Sequence, residues 1–200
     1  MSLLEFIKTK RSLRKVLLLG SGAVGKTSIV KVLKADQSLK EVDGDLAYHR
    51  TPFIELETVK TSRLVQGCSD EGILQLWDLS GQQDLPIHAT REISRTSLGG
   101  VDLVMLVFAS DNIQSLLDLA SWLKVVEDYY SKESAGKEPS YILIRNKTDL
   151  KCTIDLELTD KVLKHKEKII KYFQISCLTG NGLNNLKEWL IDQFSPQVAY

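Results

Sequence analysis

Residues 20–27 read Gly-Ser-Gly-Ala-Val-Gly-Lys-Thr and follow the apolar run from Val16 to Leu19. This stretch has the spacing of a phosphate-binding loop, GxxxxGK[ST], in which backbone N–H groups and the start of a helix surround an anion. Lys26 is predicted to reach the β and γ phosphates of a nucleotide, and the Thr27 hydroxyl is predicted to bind Mg²⁺. The residues predicted to line this loop are Gly20, Ser21, Gly22, Ala23, Val24, Gly25, Lys26, Thr27 and Ser28.

Two further predicted strands end in polar residues. The strand at 73–79 carries Asp78 near its end, where the carboxylate can hold the water shell of Mg²⁺. Gly81 after the strand can offer an N–H to a γ-phosphate. The strand at 140–145 leads into Asn-Lys-Thr-Asp, which is the chemistry for guanine. The acid accepts from two guanine donors, the amide reads the purine acceptor edge and the lysine stem covers the ring. The residues assigned to guanine are Asn146, Lys147 and Asp149.

With these fragments the chain resembles a small GTPase of the Ras superfamily from about Lys15 to Phe194. Residues 77–82, Trp-Asp-Leu-Ser-Gly-Gln, are similar to the Arf-branch motif WDxGGQ, although Ser80 replaces the first glycine. Residues 51–59 match the Arf stretch TIGFNVETV in spacing, and residues 176–183 resemble a third Arf segment. The phosphate loop is closer to the loops of Ras and Rab proteins.

The resemblance implies roles for residues outside the three fragments. Gln82 matches the glutamine that orients the attacking water, and Thr51 is placed as the switch threonine that contacts Mg²⁺ and the γ-phosphate. Thr58 and Thr61 are the alternatives for that threonine. The implied catalytic set is Gln82, Lys26 and Thr51, and the implied metal ligands are Thr27, Thr51 and Asp78. The segment that completes the guanine site is Ser176, Cys177 and Leu178.

The composition is that of one domain. The 200 residues are 43% apolar and 26% charged, which is enough for one three-layer core. Lysine plus arginine and aspartate plus glutamate number 26 each, so no net field favours nucleic acid. The 3 cysteines show no metal-ligand spacing, as in a reduced cytoplasmic chain. We expect an N-terminal segment at 1–14, a G domain at 15–195 and a tail at 196–200.

The alternation of elements predicts an α/β fold with a three-layer, doubly wound, mostly parallel six-stranded sheet, the P-loop small G domain. Strands are predicted at 15–20, 53–65, 73–79, 101–109, 140–145 and 173–176. Helices are predicted at 26–35, 86–98, 112–130, 157–172 and 182–194. Partial alternation at 54–65, followed by turn residues, predicts that the second and third strands pair as an antiparallel edge hairpin.

The N-terminal segment combines apolar and basic residues. The apolar residues, which would share one side of a short helix, are Leu3, Leu4, Phe6 and Ile7, and the basic residues that follow are Lys8, Lys10, Arg11, Arg14 and Lys15. This composition suits weak contact of residues 2–15 with an anionic membrane surface; the alternative is a helix packed on its own domain. Ser2 does not fit a myristoylation signal and residues 195–200 hold no prenylatable cysteine. We expect a cytoplasmic protein with peripheral membrane contact at most.

The sequence predicts a GTP-binding molecular switch with slow, Mg²⁺-dependent hydrolysis of GTP to GDP. Its expected partners are effectors, exchange factors and GTPase-activating proteins, and it is not expected to bind nucleic acid. A GTPase-like nucleotide-binding module with little hydrolysis is the alternative, because the segment from Lys26 to Thr51 is longer than is usual in the family. An ATP-dependent kinase or ATPase is a third class, which the Asn-Lys-Thr-Asp stretch disfavours.

Overall fold

The computed structural model describes residues 12–35, 38–42, 54–60, 72–79, 96–132, 137–152, 154 and 168–194. The strands are β1 (Ser12–Leu19), β2 (Ile54–Lys60), β3 (Gly72–Leu79), β4 (Leu103–Ala109), β5 (Ser140–Asn146) and β6 (Ile169–Gln174). The helices within these ranges are α1 (Lys26–Ala35), α2 (Leu39–Val42), α3 (Ile113–Leu117), α4 (Leu119–Lys132) and α5 (Leu183–Phe194). Among them, none is both long enough and apolar enough to cross a membrane.

The strands form one six-stranded sheet in the order β2-β3-β1-β4-β5-β6. β1 pairs in parallel with β3 and β4, and β5 pairs in parallel with β4 and β6. β2 is antiparallel to β3, which confirms the predicted pairing of the second and third strands at an edge of the sheet. The α/β class with a mostly parallel six-stranded sheet is therefore also confirmed, and the carboxyl ends of the parallel strands share one edge, where ligands bind in such sheets.

The sheet is covered on both faces. In β1, Val16 and Leu18 pack in the core cluster that includes α1 and α5, whereas Leu17 and Leu19 pack in the cluster that includes α3 and α4. This alternation is the two-residue period of a strand. β4 is buried along its whole length because its neighbours in the sheet and both helical layers exclude water from it.

The prediction of a helix at 157–172 is wrong over its last residues, and the strand predicted at 173–176 begins earlier. β6 starts at Ile169 and pairs with β5 through Tyr141 and Arg145, so residues 169–172 are extended. The lysine-rich run before them favours a helix, but the stretch Ile-Ile-Lys-Tyr-Phe is rich in β-branched and aromatic residues. Hydrogen bonds to β5 satisfy the backbone groups of this stretch in an extended conformation. Residues 155–167, which make up most of the predicted helix, lie outside the described part of the chain.

The single helix predicted at 112–130 is divided into α3 and α4 at Asp118. Asn112 caps α3, since its side chain accepts a hydrogen bond from Ser115 N. Asp118 has low intrinsic helix propensity, and its carboxylate bonds side chains outside the backbone ladder. Of the helix predicted at 86–98, residues 96–98 are helical and the rest lie outside the described residues.

β1 begins at Ser12, before the domain start expected at residue 15, and its first residues are bonded to the rest of the domain. Asp102 Oδ2 accepts from Lys15 N at 2.8 Å, and Asp102 Oδ1 accepts from Arg14 Nη1 at 3.0 Å. The Lys15 ammonium donates to Thr96 O at 2.7 Å and lies 4.0 Å from the centroid of the Trp77 ring. Arg14 and Lys15 therefore belong to the sheet, although the sequence analysis grouped them with the basic residues of the N-terminal segment that could contact a membrane.

Asp102→Ala should lower the free energy of unfolding by about 1–2 kcal/mol, because it removes the acceptor for a backbone N–H and for a guanidinium. Urea unfolding followed by far-UV circular dichroism measures this quantity. Glu188→Ala, which removes an exposed acid in the middle of α5, is the matched control and should change stability by less than about 0.5 kcal/mol. Equal stability of the two variants would contradict the role given to Asp102.

Candidate nucleotide-binding site

The predicted phosphate loop lies between β1 and α1, and its backbone geometry requires glycine at two positions. Gly20 has φ 149° and Gly25 has φ 94°. A Cβ at Gly20 would lie 2.2 Å from Val107 O, and a Cβ at Gly25 would lie 2.3 Å from Asn146 Nδ2. Glycine is therefore needed there both for the backbone conformation and for the close approach of neighbouring strands.

Lys26 is the first residue of α1, and its ammonium folds back over the loop. Its Nζ donates to Gly20 O at 2.8 Å and to Ser21 O at 2.9 Å, so two of the three N–H groups are used. Burial lowers the pKa of Lys26 to about 8, although the nearby Asp78 carboxylate opposes that shift. The third N–H is the donor that can meet an anion in the loop.

Asp78, near the end of β3, meets Thr27 at the start of α1. The pairing of Asp78 with Leu18 in the β1–β3 ladder brings its carboxylate to the loop, and the Thr27 hydroxyl donates to Asp78 Oδ2. Asp78 is only 1% exposed. A hydroxyl and a carboxylate in contact are hard oxygen ligands, so this donor set fits Mg²⁺. The third predicted ligand, Thr51, lies outside the described residues.

The Asn146 side chain joins the loop after β1 to the segment after β6, both of which the sequence predicts to bind nucleotide. Its Nδ2 donates to Val24 O at 3.0 Å, and its Oδ1 accepts from Cys177 N at 3.3 Å. Asn146 is 2% exposed. The sequence assigned this amide only to the purine edge, and the structure adds a second role, because one N–H and one lone pair are already used within the protein.

Asp149 is held by the segment that was predicted to complete the guanine site. Ser176, which is fully buried, donates from Oγ to Asp149 Oδ1 at 2.5 Å and accepts from Thr179 N at 3.1 Å. Asp149 itself is exposed, and Lys147 has a left-handed backbone with φ 60°. An exposed carboxylate that a buried hydroxyl already holds loses little further conformational entropy when it binds a ligand.

Of the remaining residues that the sequence predicts for the site, some lie in the described part of the chain and others lie outside it. Cys177 is buried, which raises its pKa to about 12, so it is a neutral thiol that contributes through its backbone. The carbonyls of Cys177 and Leu178 accept from the backbone N–H groups at the start of α2, and Ser28 lies half-buried in α1. Gly81 and Gln82 lie outside the described residues, as does Thr51.

Besides the bond between Asn146 and Val24, sequence reasoning missed a second contact of the loop. Ser21 Oγ donates to Asp118 Oδ2 at 2.5 Å, and Gln114 Nε2 donates to Asp118 Oδ1 at 2.8 Å. No motif marks Asp118, since it lies within a stretch that was predicted as an uninterrupted helix.

The sheet order, the loop between β1 and α1 and the joined segments after β5 and β6 define the class of protein: this is a P-loop small G domain. The Ras family model matches residues 15–195, and the chain therefore belongs to the Ras family. The resemblance to the Ras superfamily is thereby confirmed.

Three curated proteins illustrate the range of similarity. The GTP-binding protein yptV5 of Volvox carteri is 26% identical, with 90% of this chain and 86% of that protein covered. The GTP-binding protein RHO2 of Saccharomyces cerevisiae is 26% identical, with coverages of 88% and 85%. The Ras-related protein Rab-9A of Rattus norvegicus is 28% identical, with coverages of 71% and 63%. Their names are of the Ypt, Rho and Rab types, and the likeness to the Arf branch stays a prediction.

The pKa of Lys26 predicts a pH dependence of binding to the predicted ligand GDP. In the free protein Lys26 loses its proton as the pH rises through about 8, whereas a bound diphosphate stabilises the ammonium. Binding above that pH therefore takes up a proton, and GDP affinity should fall by up to about tenfold per pH unit.

The ratio of GDP to GMP affinity between about pH 7 and pH 9 isolates this effect. GMP lacks the β-phosphate that Lys26 is predicted to contact, while ionisation of the guanine ring affects both nucleotides alike. Competition against a fluorescent guanine nucleotide gives both affinities. A ratio that stays constant over this range would contradict the assignment of Lys26 to the β-phosphate.

Proposed function

We propose that this protein is a GTP-binding molecular switch that hydrolyses GTP slowly in the presence of Mg²⁺. Membership of the Ras family supports the general activity. The observation that carries the proposal is the bonding of Asn146 to Val24 in the phosphate loop and to Cys177 in the segment after β6. One buried side chain thereby sets the distance between the proposed phosphate site and the proposed base site. A nucleotide has a fixed distance between its base and its phosphates, so a nucleotide site needs such a fixed spacing.

Guanine recognition is proposed for Asp149, Asn146 and Lys147. Asp149 accepts from the ring N1–H and the exocyclic amine, and the bond from Ser176 holds its carboxylate in place for both. The second N–H of Asn146 reaches the purine acceptor edge, and the Lys147 stem covers the ring. An adenine would leave the Asp149 carboxylate without its donors, so this site discriminates against ATP.

The phosphates are proposed to lie in the loop from Gly20 to Thr27, with Lys26 on the β and γ phosphates. Thr27, Asp78 and Thr51 would hold Mg²⁺ in this proposal, and the ion would supply positive charge to offset that of the phosphates. Thr51 and the Gly81 N–H contact the γ-phosphate. Within the described part of the chain, the hydrogen bonds of the Lys26 ammonium go to the loop carbonyls of Gly20 and Ser21, so its charge is held beside the loop.

Hydrolysis is proposed to proceed by attack of a water molecule on the γ-phosphorus. The bond from that phosphorus to the β–γ bridging oxygen breaks, and GDP and inorganic phosphate leave. Gln82 orients the attacking water. No arginine is assigned to the γ-phosphate in this scheme, so we propose that a GTPase-activating partner accelerates the step, as an added positive charge does in this reaction class.

Loss of the γ-phosphate is proposed to release the segments near 36–55 and 80–98, which changes the surface offered to effectors and exchange factors. Lys15 holds the carbonyls of Thr96 and Gly99, and this marks where the second segment rejoins the sheet. We therefore narrow the second segment from 80–98 to 80–95, because the bonds from Lys15 hold the chain from Thr96 onward.

A weak contact of residues 2–15 with an anionic membrane surface remains part of the proposal, with the protein otherwise cytoplasmic. Two of its basic residues have other partners, since Arg14 pairs with Asp102 and Lys15 bonds to backbone carbonyls. The attraction to anionic lipid would then depend mainly on Lys8, Lys10 and Arg11, at about 1 kcal/mol each near the surface.

Asp149→Asn should change the preferred base, because the amide replaces one acceptor by a donor and can pair with the C2 carbonyl of xanthine. The ratio of XDP to GDP affinity should rise by at least about 100-fold. Competition binding measures the ratio, and Asp192→Asn on α5 is the matched control, with no change expected. An unchanged ratio, or equal wild-type affinity for GTP and ATP, would contradict the guanine site.

Gln82→Leu should slow single-turnover GTP hydrolysis at least about tenfold and leave GTP affinity nearly unchanged, because the lost amide acts on water in the transition state. The neighbouring Gln83→Leu is the matched control and should hydrolyse GTP at the wild-type rate. If the wild type itself binds GTP but does not turn it over, the protein is instead the nucleotide-binding module with little hydrolysis.

A further inference from the structure

The contact between Ser21 and Asp118 connects the phosphate loop to a distant part of the chain. Ser21 is the second residue of the loop, and Asp118 lies at the junction of α3 and α4, 97 residues later. The Asp118 carboxylate is shared, since one oxygen accepts from Ser21 Oγ at 2.5 Å and the other accepts from Gln114 Nε2 at 2.8 Å. Hydrogen bonds to an ionised acceptor are stronger than those between neutral groups.

The Asp118 side chain is not needed to cap either helix. Its backbone is helical, with φ −63° and ψ −22°, and its N–H donates to carbonyls in α3. Its C=O accepts from Ser121 N at 3.0 Å and from Trp122 N at 3.3 Å, which begins α4. A side chain that caps a helix requires extended backbone, so the carboxylate serves the contacts with Ser21 and Gln114 instead.

Hydrogen bonds of Ser115 fasten α3, the helix that precedes Asp118, to the end of β4. Ser115, which is fully buried, accepts from Ala109 N at 3.0 Å and donates to Asn112 O at 2.6 Å, and this fastens α3 to the end of β4. The same strand carries Val107, whose carbonyl lies against Gly20 at the start of the loop. Asp118 is therefore held in a fixed position relative to the loop that it contacts.

Ser21 contacts both Asp118 and Lys26, so the position of Asp118 limits where the Lys26 ammonium can lie. Its side chain donates to Asp118, while its backbone carbonyl accepts from Lys26 Nζ at 2.9 Å. The nearby Asp78 carboxylate raises the pKa of Lys26, against the larger effect of burial. We attribute the influence of Asp118 on Lys26 to the position of Ser21, which contacts both residues.

We propose that Asp118 is a positioning residue for nucleotide binding: through Ser21 it fixes the carbonyl that holds Lys26, and thereby holds the ammonium ready for the β-phosphate. This inference rests on the proposed function. It predicts that the α3–α4 junction sets the lifetime of the bound nucleotide, although the proposed function assigns no residue of that junction to the nucleotide.

The test is the dissociation rate of a fluorescent GDP, chased with excess GDP in the presence of Mg²⁺. Ser21→Ala and Asp118→Ala should each raise this rate about tenfold, and the double variant should be no faster than either single variant, because both remove the same constraint. Asp118→Asn keeps an acceptor for Ser21 and should restore a rate within about twofold of the wild type. Asp111→Ala, an exposed acid in the β4–α3 connection, is the matched control and should dissociate at the wild-type rate.

A second measurement distinguishes positioning from general loosening of the fold. GDP affinity should fall in Ser21→Ala and Asp118→Ala while GMP affinity stays within about twofold, because GMP lacks the β-phosphate that Lys26 meets. The inference would be overturned if a variant lost as much affinity for GMP as for GDP, or if the two substitutions raised the GDP dissociation rate additively in the double variant. It would also be overturned if Ser21→Ala left the dissociation rate unchanged. If Asp118→Ala does not fold, Ser21→Ala with Asp118→Asn decides the question. Absence of GDP binding by the wild type would instead refute the proposed function.

Discussion

The buried amide of Asn146 is the contact on which the rest of the site depends. It donates to the phosphate loop and accepts from the segment after β6, and its own backbone carbonyl accepts from Ser110 at the end of β4. Three strand ends thereby meet at one residue that water cannot reach. Loss of such a side chain would leave buried donors and acceptors unpaired at about 1–3 kcal/mol each, so the spacing of the loops and the stability of the domain have a common origin.

Charge is concentrated at the same edge of the sheet. Lys26 is 6% exposed and Asp78 is 1% exposed, and burying opposite charges this deeply adds little net stability because both lose their hydration. The ammonium loses hydration that the loop carbonyls replace only in part, which is why its pKa is lowered to about 8. A multiply charged phosphate is the kind of ligand that would recover this cost, and the site is in that sense prepared for an anion before one arrives.

Those features that the sequence predicted correctly are encoded locally, and those that it missed are not. The connection between β1 and α1 and the apolar run of β4 are each encoded within about ten consecutive residues. β6 was predicted to start too late because the preceding lysines continue a helical pattern, and only pairing with β5 decides where the strand begins. The second role of Asn146 and the contact of Asp118 with Ser21 join positions about a hundred residues apart, so no local pattern could reveal them.

The place of β1 in the sheet has a consequence for biosynthesis. β1 is the first described strand, yet it lies inside the sheet between β3 and β4, and four successive apolar residues, Val16 to Leu19, are buried there. At a translation rate of about 5–20 residues per second, β1 leaves the ribosome roughly 5–20 seconds before β4 is complete. During that interval the edge of β1 that later pairs with β4 has no strand beside it, so the newly made chain exposes unpaired backbone N–H and C=O groups along that edge.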